Sequence, residues 1–178
     1  LVEIARAQAR FIGDAAAAGQ AYRKVISAYG ATDELVDELA EVYEEDKQLD
    51  ELAALYRAEV ERVSAADRKS ELYSALGDTE RGRGEPAAAL EALLGALTLA
   101  ATSKAAQEGL ERLLGGLSPE DATTRALFHR GVEALAHSYE RGGQTDRWLA
   151  LVPARLAASD DADHRAQVLL AAGNPEDA

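Results

Sequence analysis

The chain has 178 residues, no cysteine, a formal net charge of −13 and a pI near 4.6. This balance argues against a nucleic-acid or anionic-membrane surface, since neutralising phosphates requires clustered Lys and Arg. The absence of cysteine excludes disulfides, thiolate metal sites and a Cys nucleophile.

Apolar residues make up 47% of the chain but aromatics only 5%. Ala and Leu dominate where a sheet protein would carry Val, Ile and Thr, so the local preference is for helix and the expected fold class is all-α.

Apolar residues recur at spacings of three and four, interrupted every 12 to 20 residues by Gly, Pro or Asp/Ser clusters, the pattern of short amphipathic helices joined by tight turns. In chain order this predicts helices over 1–11, 14–29, 33–45, 49–63, 66–82, 86–100, 103–115, 120–141, 144–158 and 161–172. Thr32-Asp33 caps the third, Asp67 opens the fifth, and Ser118-Pro119-Glu120-Asp121 opens the eighth. Gly115-Gly116 and Gly142-Gly143 close two others. The longest mostly apolar stretch, 87–101, is broken by Glu91 and spans only about 22 Å as helix, against roughly 30 Å for a bilayer core. No membrane insertion is expected.

The chain repeats itself at an offset of 71 residues, pairing Gly13 with Gly84, Ala18 with Ala89, Tyr22 with Leu93, Ile26 with Leu97, Leu39 with Leu110, Val42 with Leu113 and Tyr43 with Leu114. That length is about two helical hairpins of 34 residues each. One hairpin cannot bury its own apolar face, and a stacked neighbour supplies the missing cover.

Within 70–101, Tyr73, Leu76, Gly77, Gly84, Ala89, Leu93 and Ala96 occupy the set positions of a helical hairpin that resembles a tetratricopeptide repeat. Gly77 and Ala89 would let the two helices approach, Gly84 would make the turn, and Ala96 would leave room for the next repeat. Glu80 and Ala101 stand where the family prefers Tyr and Pro. The segment 33–63 matches through Val36, Leu39, Ala40, Tyr43 and Tyr56, with Leu52 and Glu59 at usually small positions. The segment 129–156 matches through Leu135, Ala136, Tyr139 and Gly143, but Trp148 and Arg155 fill the small positions and Pro153 falls inside the second helix, so a kink or wider helix separation is expected there.

The resemblance implies a right-handed α-solenoid of antiparallel helical hairpins, with about ten helices in a single array over 1–178. The hairpins would cover roughly 1–29, 33–63, 66–100, 103–141 and 144–178, with partial repeats at both ends. The absence of Met and the turn at 172–178, which leads into no further helix, give the expectation that the chain is a segment of a longer array.

In this family the first helix of each hairpin lines a groove that holds another protein. The corresponding solvent-side positions here are Glu34, Asp37, Glu41, Glu44 and Glu45, then Glu71, Ser74, Asp78 and Arg81, then Arg130, Glu133, His137, Glu140 and Arg141. Glu34, Asp37, Glu41, Glu44, Glu45, Asp78, Arg81, His137 and Arg141 are the expected partner contacts. The wholly acidic first set favours a basic peptide or helix.

His129, Glu133 and His137 share one helical face, but the two histidines lie about 12 Å apart along the axis and cannot share one ion. A contact of Glu133 with one of them is expected instead. Gly82-Arg83-Gly84-Glu85-Pro86-Ala87 spells a dinucleotide fingerprint but follows a helix rather than a strand, so it reads as a turn. Asp160-Asp161-Ala162-Asp163-His164 lacks the Gly and Glu of a calcium loop and reads as a helix start. Trp148 and Tyr139 are expected to serve inter-helix packing.

With no nucleophile in a recognisable elbow and three histidines in all, the expectation is a non-catalytic protein-protein interaction scaffold, without cofactor or metal. The alternatives are a structural or regulatory arm of a larger enzyme or envelope machine, and an effector-binding domain.

Overall fold

A computed structural model describes residues 15–173, and the helix expected over 1–11, Gly13 and the 174–178 turn lie outside them. The chain divides into two compact units, Leu1–Ala58 and Glu59–Ala178. Among the described residues there are ten helical segments and no strand. They are α1 (Ala15–Tyr29), α2 (Asp33–Glu45), α3 (Leu49–Arg62), α4 (Ala66–Gly82), α5 (Pro86–Leu99), α6 (Lys104–Leu114), α7 (Arg125–Arg141), α8 (Thr145–Ala150), α9 (Val152–Ala158) and α10 (Ala162–Gly173). None of these is long and apolar enough to cross a membrane.

Three turns close in the same way. After α2, Lys47 N–H donates to Glu44 O and Gln48 N–H to Tyr43 O. After α4, Gly84 N–H donates to Arg81 O and Glu85 N–H to Glu80 O; after α7, Gly143 N–H donates to Glu140 O and Gln144 N–H to Tyr139 O. Each is a Schellman closure, in which one left-handed residue lets two N–H groups reach back to otherwise unpaired helix-end carbonyls. Gly84 (φ 78°) and Gly143 (φ 63°) adopt that backbone without strain, whereas Lys47 (φ 56°) carries a side chain there. The dinucleotide-like string is thus a turn, with Pro86 at the start of α5.

The 71-residue offset is also structural. The aligned pairs Ala18 and Ala89, Tyr22 and Leu93, Leu39 and Leu110, Val42 and Leu113, and Tyr43 and Leu114 are buried on both sides. The helix starts match as well. Thr32 Oγ1 accepts from Leu35 N (3.3 Å), and Ser103 Oγ, 71 residues on, accepts from Ala106 N (3.4 Å).

Within the second unit, α4 and α5 run antiparallel. Ser70 Oγ donates to Ala96 O (3.1 Å) at one end, and a Cβ on Gly77 would stand 2.6 Å from Leu93 Cγ near the middle. Leu93 also faces Gly109 of α6, and Leu114 faces Gly131 of α7, so glycines receive leucines along the core. Asp78 of α4 takes a two-pronged contact from Arg112 of α6 (3.1 and 2.6 Å). In the first unit Gly19 of α1 receives Tyr43 of α2 in the same manner.

Two expectations need correction. The eighth predicted helix does not begin at 120, since 118–124 forms turns and α7 starts at Arg125. Asp121 there accepts from Thr123 N (2.9 Å) and Thr123 Oγ1 (2.7 Å), bonds that hold its carboxyl below the usual range and bend the backbone locally. Ser74, placed among the solvent-side positions, is buried and donates to Ser70 O (2.9 Å).

The break expected near Pro153 is present. The helix stops at Ala150, Leu151 N–H turns back to Trp148 O, and α9 restarts with Pro153 in its first turn, where a missing N–H costs nothing.

Candidate functional site

Three surfaces carry the candidate residues. On α2, Glu34, Asp37, Glu41, Glu44 and Glu45 are all exposed, and Val36, Leu39, Ala40, Val42 and Tyr43 form the buried face. This segregation follows from helical periodicity and leaves an acidic strip on the first unit. Glu44 Oε1 accepts from Tyr56 OH of α3 (3.3 Å), so one end of the strip is anchored.

On α4, Asp78 and Arg81 are tied into the ion-pair group around Arg112, with Arg81 Nε 3.7 Å from Asp78 Oδ1. Glu80 is 1% exposed and pairs with Arg83 at 2.5 Å. Glu80 is therefore buried with its counter-ion reaching toward solvent. Glu59 of α3 is likewise buried and paired with Arg62 at 2.6 Å.

The third surface is α7, which has a groove on each side. One groove, about 490 Å³, is largely apolar and lies against α5, with Leu94, Leu97 and Ala134 on its walls and His137 and Arg141 at its edge. The other, about 270 Å³, lies between α7, the broken α8–α9 helix and α10. In the α4–α5 hairpin the corresponding positions are the fully buried Ala89 and Ala96. Here Trp148 and Arg155 take those positions and line the groove. The guanidinium of Arg155 lies 5.4 Å from the Trp148 ring centroid and donates to both oxygens of Glu133, from Nε to Oε1 (2.9 Å) and from Nη2 to Oε2 (2.7 Å). Burial raises the Glu133 pKa, but the Arg155 hydrogen bonds and charge outweigh this and leave it below the usual carboxylate range.

Of the two histidines expected beside Glu133, His129 is the one near it, with ligand atoms of the two within 4.8 Å, whereas His137 pairs with Glu140. His137 is exposed, with Nδ1 3.5 Å from Glu140. Glu133 also meets His164 of α10, whose Nε2 lies 3.4 Å from Glu133 Oε1. His129 completes the group, its ring edge-on to that of His164 at 5.6 Å and 71°. Asp161 accepts from Asp163 N (2.9 Å) and His164 N (3.4 Å), which makes the acidic string a helix start and sets His164 in the first turn of α10. Sequence spacing does not relate His129 to His164, because they stand 35 positions apart with α8 and α9 between them.

Tyr139 is buried at the opposite edge of α7. Its hydroxyl donates to Glu111, Arg147 Nη2 reaches the same carboxylate (2.8 Å), and the Arg147 guanidinium covers the ring at 4.8 Å. Burial and the Glu111 carboxylate push its hydroxyl pKa well above 10. Trp148 and Tyr139 both belong to the core, as the packing expectation held.

Set against known proteins, the chain matches no protein-family model, and no curated protein matches it in sequence.

Proposed function

We propose that this chain is a tetratricopeptide-like repeat module that holds a partner protein and is itself non-catalytic, forming part of a longer right-handed solenoid. The observation that carries the reading is the thrice-repeated hairpin closure at Lys47, Gly84 and Gly143, together with the 71-residue recurrence of buried positions and helix caps. Repeats of this kind stabilise one another by stacking and leave the outward positions of their first helices available for binding. On α2 those positions form an acidic strip, which favours a basic, Lys/Arg-rich peptide or helix by steering and rim contacts.

The test is fluorescence anisotropy with a panel of labelled basic helical and extended peptides. At least one peptide is expected to bind, more weakly as salt rises and at least about tenfold more weakly to the triple variant E34K/E41K/E45K. Absence of binding across the panel, or binding indifferent to the three Lys substitutions, refutes the acidic-strip reading.

A further inference from the structure

We propose that His129, Glu133 and His164 form a binding site for a divalent transition-metal ion of the zinc class, with a fourth coordination position open to the groove beside Trp148. This stands apart from the partner-binding reading, because it uses none of the α2 residues.

One ligand atom from each of the three side chains lies within 4.8 Å of the others. In a tetrahedral zinc site with bonds of about 2.0–2.1 Å, neighbouring ligand atoms sit roughly 3.4 Å apart. Glu133 Oε1 and His164 Nε2 already have that spacing, at 3.4 Å. The edge-on imidazoles of His129 and His164 can bring their ring nitrogens to the same point by small side-chain rotations.

A second observation comes from His164 itself. Its Nε2 is buried and has no hydrogen-bond partner, although a carboxylate oxygen stands close by. A metal ion shared by Nε2 and the carboxylate oxygen would give the buried nitrogen the partner it lacks. The ligand set also selects the metal. Two imidazoles and one carboxylate suit zinc and its borderline neighbours, whereas magnesium and calcium want oxygen ligands throughout.

Arg155 remains the outer partner. With the ion on Oε1, its Nη2 can keep the 2.7 Å contact to Oε2 and hold the carboxylate in place. Glu133 and His164 line the groove, so the open position would face it and admit water or an incoming side chain. His137, the third histidine, also lines this groove, but it pairs with Glu140 and lies outside the three-residue cluster.

The experiment uses the whole chain with Zn²⁺ in calorimetry and Co²⁺ in visible absorption. The expected result is one site per chain, a cobalt ligand-field spectrum of low coordination number, and affinity at least about tenfold weaker in H129N and in H164N but unchanged in H137N. Nitrogen-15 spectra of the unaltered chain avoid dependence on variant folding: addition of Zn²⁺ should shift the imidazole signals of His129 and His164 and leave those of His137 in place. No binding, binding that survives both substitutions in folded variants, or a shift confined to His137 overturns the proposal.

Discussion

The side chain of Leu93 occupies the space that a Cβ on Gly77 would need, with Cγ only 2.6 Å from that position, and its Cδ2 would stand 2.5 Å from a Cβ on Gly109. Leu93 is 1% exposed and has no room to retreat. G77A is therefore expected to destabilise the second unit by about 1–3 kcal/mol through overpacking. Combining it with L93A should cost less than the sum of the two single changes, because the clash disappears with the Leu. Urea unfolding of the four chains, followed by helical circular dichroism, measures the difference.

The three Schellman turns predict opposite outcomes for two exchanges between Gly and side-chain-bearing residues. Lys47 holds a left-handed backbone that Gly adopts without strain, so K47G should raise stability by up to about 1 kcal/mol. G84A imposes the strain that Lys47 tolerates and should lower stability by about 1 kcal/mol. Thermal melts of both variants check the pair. A lower melting temperature for K47G would mean that its side chain makes compensating contacts.

A buried hydrogen-bond chain joins α6 to α7. Gln107, 1% exposed, donates from Nε2 to Ser138 Oγ (2.8 Å), and Ser138 in turn donates to Ala101 O (2.6 Å). S138A leaves the Gln107 amide and the Ala101 carbonyl short of partners and should cost about 1–3 kcal/mol. Q107L keeps the Ser138 bond to Ala101 and replaces the amide with an apolar group, so its cost should be smaller. Denaturant midpoints for both variants provide the comparison, and the order of the two costs is the decisive result.

Stability should fall at both ends of the pH scale, for different residues. Burial raises the Tyr43 and Tyr139 hydroxyls above their ordinary value of 10.0, with Glu111 adding to the effect at Tyr139. Their contribution is therefore complete below pH 10 and is lost as pH rises beyond it. Glu133 is held below its ordinary 4.5 by Arg155 despite burial, so its contribution is present above pH 4.5 and is lost as the pH falls through its lowered value. Urea midpoints across this range should decline at each extreme. Tyr139→Phe should flatten the alkaline limb, and Glu133→Gln the acid limb.

What the sequence determined by itself is local. Helical spacing predicted most segment boundaries to within a residue or two, since periodicity and turn residues act over a few positions. Gly84 and Gly143 marked their turns because only Gly adopts that backbone freely, whereas Lys47 gave no such signal and its left-handed turn shows only in the structure. The local reading failed at 118–124, where Asp121 bends the chain through Thr123 instead of starting a helix.

The tertiary structure decided which distant side chains meet. Glu133 faces Arg155 and His164 rather than His137. Residues on one helix are held at a fixed rise, so His129 and His137 stay apart, while a residue from another helix can approach at any height that packing allows. Trp148 and Arg155 were visible as departures from small residues, but the groove they open depends on the combined shapes of α7, α8, α9 and α10. Such packing is a property of the assembled helices, with no counterpart in the spacing of residues along the chain.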